Sequence, residues 1–390
     1  MNRSRSQCLL TLSSLALCTA ALGCHAQRPD PAPMKSPAPA VAAVAPAPVK
    51  SPAPVADAQE PQESHATQVA QAGCAAPLAS GEAQQLTVGR LHGVREGTTL
   101  TFSAKDNDGS FNLGVLGPIN EASGENLVAL GRYVKFFKTQ NVDAIVVTGD
   151  SGETARGIRR ALEILAKPGL PVFVVIGNSE CAADYTEGVL ETQKNFPNVV
   201  NLNEVRVVSF PEATLVSLPG HHDANYMHCA KGCLYTSANV LEVIRAAKFA
   251  HSPVILVSHG PPHGEGSQSV DFTPASGGNV GNPDINRAVK AASIPFGLFS
   301  NIKEAGARAT DSSGSTVVPE NTPVKSLFLN PGPASTDNWK MNDGKPSHGF
   351  AAVFRLNSRG ASWTLFRNPP FSKSEKARAR ALETHSETAR

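Results

Sequence analysis

The chain has no excess of either charge: 35 Lys and Arg against 33 Asp and Glu leave a formal +2 over 390 residues. So small a net charge creates no general field for polyanions, and no nucleic-acid partner is expected. A run long enough for a permanent membrane span is also missing, since the apolar N-terminal stretch 8–22 falls short of the roughly 20 residues such a helix needs. There is no internal repeat and no nucleophile elbow, because Ser258 precedes His259 without the pair of flanking glycines. What is present is a 41% apolar content, enough for one large domain or two small ones once non-globular ends are set aside.

Arg3 and Arg5 precede the 8–22 stretch, which ends in small residues and reads as a secretory signal. Ala21-Leu22-Gly23-Cys24 resembles a bacterial lipobox with Ala21 in place of the usual leucine. Cys24 would then be acylated and become the mature N-terminus; a plain secretory signal cleaved elsewhere is the alternative. His25 stands where some bacteria place an inner-membrane retention Asp, which favours the outer membrane over the inner one for this exported, periplasm-facing lipoprotein. From residue 28 to about 70 the sequence is almost all Pro, Ala and small polar residues. Such a segment cannot offset its ordering entropy and favours extended polyproline II, reaching on the order of 100 Å at ~3.1 Å per residue. The expected organisation is a signal peptide (1–23), a disordered Pro/Ala-rich tether (24–74), one folded domain (75–370) and a polar, frayed helical tail (371–390).

Export also decides the cysteines. Beyond Cys8, Cys18 and Cys24, four remain, and an even number outside the cytosol favours disulfides. Cys229 and Cys233 would close a local loop, leaving Cys74 to reach Cys181. A zinc site built from His228, Cys229 and Cys233 with His221 or His222 is the other reading, at a spacing that matches no common zinc knuckle.

In the folded part, uniformly apolar strands alternate with helices, which means α/β architecture with parallel strands covered by helices. A hairpin over 86–102 opens it, and 111–116 is the first buried strand. Leu127, Leu130, Tyr133, Val134 and Phe137 mark one face of a helix. Strands over 143–148, 171–176, 213–218 and 253–257 follow, interleaved with helices over 154–166, 185–195, 237–250 and 284–292. The runs 326–329, 350–356 and 362–366 are expected to close the domain as an antiparallel set.

Three fragments put polar residues just past buried strands: Gly149-Asp150, Gly177-Asn178-Ser179-Glu180 and Ser258-His259. Singly, each is ordinary turn chemistry. In this order, at the carboxyl ends of separate strands, they would converge on one rim of a sheet. Here the chain resembles the calcineurin-like metallophosphoesterases, whose motifs run D-x-H, G-D, G-N-H-[DE], a mid-chain His and G-H-x-H. The resemblance covers roughly the whole folded part and is most specific in the middle three motifs; the run 327–332 also looks like the stretch that ends such domains. It implies a sandwich of mixed sheets flanked by helices, and divalent metals (Mn, Fe or Zn) that share the G-D carboxylate and activate a water. Asp150, Asn178 and His259 take the catalytic and metal-binding positions.

The other motifs depart from that pattern. Pro118 and Asn120 stand in the places of D-x-H, Ser179 replaces the histidine of G-N-H-E, and Asn301 and Lys303 occupy the places of G-H-x-H. On this alignment one metal position keeps Asp150, Asn178 and His259, with Asn301 as a fourth ligand, and the other keeps only Asp150. Lys303 is expected to pair with Asp150 in place of the lost cation. Two functions follow. One is a hydrolase-like, weakly active or non-catalytic lipoprotein that binds an anionic or phosphorylated small molecule, or a protein partner. The other is a phosphoester hydrolase working with one metal ion. The clusters His221-His222-Asp223, His263 and the glycine-rich 276–281 carry weaker readings as substrate or anion contacts.

Overall fold

The computed structural model describes residues 74–103 and 109–387. The expected signal peptide, Cys24 acylation site and tether fall on residues outside that range, except for Cys74. Among the described residues no helix is long and apolar enough to cross a membrane.

Two sheets lie face to face. The six-stranded sheet runs Gly360–Arg367, Phe350–Asn357, Ser110–Leu116, Ala144–Val147, Val172–Val174, Val199–Asn201, with the last four strands parallel. At the centre of the nine-stranded sheet Thr214–Leu218, Val254–Ser258, Phe296–Leu298 and Leu327–Asn330 run parallel. One edge of that sheet is an antiparallel meander, Ala83–Val88, Leu91–Glu96 and Thr99–Phe102.

Alternation along the strands explains the layering. Val146, Phe173 and Val175 point into the apolar layer shared with Leu215, Ile255, Val257 and Leu329 of the other sheet. Their neighbours Ile145, Val147, Val172 and Val174 face outward onto helices Gly124–Thr139, Ala155–Ala166 and Ala182–Asn195. On the far side, Val216, Leu218, Val254 and Leu256 meet helices Ser237–Phe249 and Pro283–Ala292. The helices start where side chains can satisfy their free amides: Ser123 accepts from Asn126 N and Thr154 from Gly157 N. This is the α/β sandwich of mixed sheets flanked by helices that the sequence implied.

Three expectations change. The closing strands do not form one set: Leu327–Asn330 joins the nine-stranded sheet, parallel to Phe296–Leu298, whereas Phe350–Asn357 and Gly360–Arg367 form a hairpin in the six-stranded one. Short, uniformly apolar runs carry no signal for sheet or direction. Cys74, placed at the end of the tether, is disulfide-bonded to Cys233 and belongs to the fold.

The third change concerns the tail, which is a docked helix, Lys373–Glu387, rather than a frayed end. Ala379 is buried, Arg160 donates to the Leu382 carbonyl, and Arg132 grips Glu375 through two bonds of 2.8 and 2.6 Å. Hydrogen bonds from Arg132 hold the Glu375 carboxyl down at about 2. With the folded value below the ordinary one, this contribution is present above the ordinary carboxylate range and is lost as pH falls towards 2. Glu375→Gln is therefore expected to expose the C-terminal helix to proteolysis at neutral pH, as the parent chain does only in acid. Equal cleavage rates at pH 7 would overturn this.

Candidate functional site

The parallel strands end on one rim, and four loops meet there. Asp150 follows Ala144–Val147 with φ 55°, after Gly149 at φ 103°. A side chain at Gly149 would strike the His259 ring, and one at Gly177 would strike the Asp150 carboxylate. Both glycines are there for close approach, which is the physical content of the G-D and G-N pairs.

Asp150, Asn178 and His259 are brought together and buried. Asp150 Oδ1 accepts from Asn178 N at 3.2 Å and Ser179 N at 3.0 Å, and Oδ2 accepts from the Ser179 hydroxyl at 3.0 Å. His259 Nε2 lies 3.4 Å from Asp150 Oδ1 and 2.8 Å from Asn178 Oδ1, while Nδ1 lies 2.8 Å from the Thr148 carbonyl. The Asn178 amide is oriented by its own donation to Tyr226 O at 2.5 Å. His259 thus meets oxygen atoms on both nitrogens, which fixes the orientation of its ring. Burial alone would raise Asp150, but His259, Lys303 and the Ser179 donors outweigh it and hold the carboxyl below its ordinary value.

Glu180, the last residue of the G-N-x-E motif, ties the loops from behind. It accepts from Gly177 N, Asp150 N, Ser151 N and the Ser151 hydroxyl. Burial and the Asp150 charge push it up to about 8 against those donors. The loop holding Pro118 and Asn120 lies against the same turn, with Ile119 N and Asn120 N donating to the Asp150 carbonyl.

Lys303 does not reach ion-pair distance of Asp150. Its ammonium sits 4.9 Å from the centre of the Trp339 ring, and His259 takes the contact position instead. The chain after Ser300 bonds back to His259 through two amides and then turns into a short 3-10 helix, Lys303–Ala305, which carries the ammonium away while its field still reaches the carboxylate. Asn301 directs its amide to His221 Nε2 at 3.0 Å.

His221 was the weaker sequence reading, yet it lies in this cluster. Its Nδ1 meets the backbone of Asp223, its ring packs 4.6 Å from His222, and burial together with His259 and His222 pushes it down to about 4, so it is neutral at pH 7. A histidine pair after a strand was the only signal for it. His263 is exposed, and the glycine-rich 276–281 run folds into a small ribbon whose Gly281 amide is taken by Asp271.

The segment 221–235 is pinned across this rim by two disulfides, Cys74–Cys233 and Cys181–Cys229. The pairing is not the local Cys229–Cys233 loop expected from spacing. His221 bridges in parallel to Leu234, which turns Cys233 towards Cys74, and His228 N donates to Asn178 O, which sets Cys229 beside Cys181 at the start of Ala182–Asn195.

Asp150 Oδ1, Asn178 Oδ1 and His259 Nε2 are the donors that could face a metal. No group of three His, Cys, Asp or Glu side chains among the described residues is arranged to hold one. Residues 116–286 match the family model of calcineurin-like phosphoesterases. No curated protein matches the chain. Among solved structures, it is similar to TT1561 of Thermus thermophilus, at 14% identity and TM-score 0.46 over 65% of this chain and 98% of that one. A dimetal phosphatase from Danio rerio aligns at 14% identity and TM-score 0.42 over 66% and 99%. GAP50, the anchor in the inner membrane complex of Plasmodium, aligns at 13% and 0.40 over 70% and 94%. The folded part is thus a mixed α/β sandwich in which residues 116–286 are similar to calcineurin-like phosphoesterases.

Proposed function

We propose that this is an exported, membrane-anchored lipoprotein whose phosphoesterase-like centre has lost efficient turnover and binds an anionic or phosphorylated ligand, or a partner presenting one. The observation that carries this is the use of the Asp150 carboxylate: both oxygens are occupied by Asn178, Ser179 and His259 within the protein. The Ser179 hydroxyl donates to Asp150 Oδ2, and Pro118 and Asn120 supply no carboxylate or imidazole. These residues do not fit the two-metal centre of the family, and no catalytic step is routed through it. Loss of the histidine at 179 removes the leaving-group acid, at a cost of about 10²–10⁴-fold in a family-type reaction. Lys303 adds positive charge to a rim whose carboxylate is already met by His259, which suits an anion. The paired cysteines support an oxidising compartment.

A single-metal hydrolase is the second reading. Three donor atoms facing one another at 2.8 and 3.4 Å are spaced like neighbours in a coordination shell. Metal analysis of the purified full chain, with phosphomonoester and phosphodiester assays with and without added manganese, separates the two. The proposal predicts well under one bound metal per chain and no gain on adding manganese. Stoichiometric metal with turnover abolished by both Asp150→Ala and His259→Ala would overturn it.

A further inference from the structure

Helices Ser237–Phe249 and Pro283–Ala292 lie side by side on the outer face of the nine-stranded sheet. Val240, Val243 and Ala247 of the first helix and Ile285, Ala288 and Val289 of the second point into the sheet. Their opposite faces therefore look outward together.

On the first helix Leu241, Arg245 and Phe249 follow at intervals of four residues and form one outward stripe. Phe249 is 82% exposed and Leu241 54%, the two largest values among the exposed large hydrophobic side chains. Phe249 and Arg245 line a groove of about 660 Å³ between this helix and the Leu78 segment.

The unpaired charges of the two helices have one sign, although Glu96 stands across the groove from them. Arg245, Lys248 and Lys290 are exposed and have no ion-pair partner among the described residues. The acids of these helices are engaged: Glu242 accepts from Arg206 and Leu78 N, and Asp284 from Ser237 and Arg287. Three unpaired cations against the single Glu96 carboxylate leave the apolar tips in a net positive setting, which matches the chemistry of an anionic membrane surface, where apolar side chains enter the headgroup boundary and ammonium and guanidinium groups meet phosphates.

We propose that this outward helical face docks on anionic phospholipid, with Leu241 and Phe249 inserting and Arg245, Lys248 and Lys290 contacting headgroups. The contact stands on this face alone and requires neither an acylated Cys24 nor the ligand reading of the rim.

Because the N-terminal stretch could hold the full chain on vesicles by itself, the readout must be local. Phe249→Trp is made in the full chain, with Leu190→Trp, on a helix of the other sheet, as the comparison. Emission is followed on vesicles of phosphatidylglycerol or phosphatidylcholine carrying brominated acyl chains, and the signal of the parent chain is subtracted. The expected result is a blue shift and loss of roughly half the emission at position 249 on the anionic vesicles only, with position 190 unchanged, as for a side chain at the headgroup boundary. Adding Arg245→Glu and Lys248→Glu should remove the effect, which high salt should also weaken. No quenching at 249, equal quenching at 190, or occupation of the face by a soluble protein instead of lipid would each overturn the proposal.

Discussion

Replacing His259 by leucine is expected to destabilise the domain by about 3–5 kcal/mol, read as a fall in the urea midpoint at unchanged slope. Asp150 is buried, and His259 is the positively chargeable group in direct contact with it. Without the imidazole, the carboxylate keeps the Ser179 and Asn178 donors but loses the charge that offsets its desolvation. Asp150→Asn should cost less, about 1–3 kcal/mol, because the amide oxygen still accepts from the Asn178 and Ser179 backbone amides and no buried negative charge is left unanswered. The order of the two variants is informative. In a centre held together by metal, both losses would track metal content and chelator would reproduce them. In the arrangement described here, chelator leaves the parent midpoint in place, and a shift on chelation would sink this account of the pair.

Removing either disulfide should be of similar size. Cys74–Cys233 spans 159 residues and Cys181–Cys229 spans 48. Chain-entropy reasoning assigns closures of that length roughly 5 and 4 kcal/mol, upper figures because strain and residual denatured-state structure reduce them. The two bonds differ in what they hold. Cys74–Cys233 fastens the first described residues to the Cys233 end of the segment, so Cys74→Ser should lower stability with a smaller effect on the Asn178–His259 contact. Cys181–Cys229 fastens the segment whose Tyr226 carbonyl orients Asn178, and Asn178 in turn faces His259. Cys181→Ser should therefore also shift the His259 ring resonances, observable by NMR of the labelled chain. Identical His259 signals in the two variants would show that the segment keeps its place without the second bond.

Much of the scaffold was legible in the residues. The alternation of apolar runs and helical stripes located the central strands and the helices to within a few positions, because each element buries a face and must repeat its apolar residues at its own period. The G-D, G-N and S-H pairs pointed to one rim because glycine beside a polar residue after a buried strand is what close approach of loops demands. Sheet membership of the late strands, the docking of the C-terminal helix and the short strands at Val199–Asn201, Val207–Ser209, Phe296–Leu298 and Arg308–Thr310 were not legible. Runs of three or four residues lack a measurable period, and the grip of Arg132 on Glu375 joins positions far apart in the chain.

At the site itself the division is sharper. Which residue types are present at 118, 120, 179, 301 and 303, and hence which ligands and acids the family chemistry would lack, follows from the sequence alone. Which cation answers Asp150 does not. Lys303 and His259 are equivalent choices on charge, and only the packed structure selects the imidazole, because Gly149 leaves room for its ring while the turn after Ser300 carries the ammonium to Trp339. The cysteine pairing is decided in the same way: spacing favours the short loop, but strand direction and backbone hydrogen bonds set which sulfurs meet. Composition and local pattern determine what a chain has available, whereas distances between residues remote in sequence exist only once the sheets have packed.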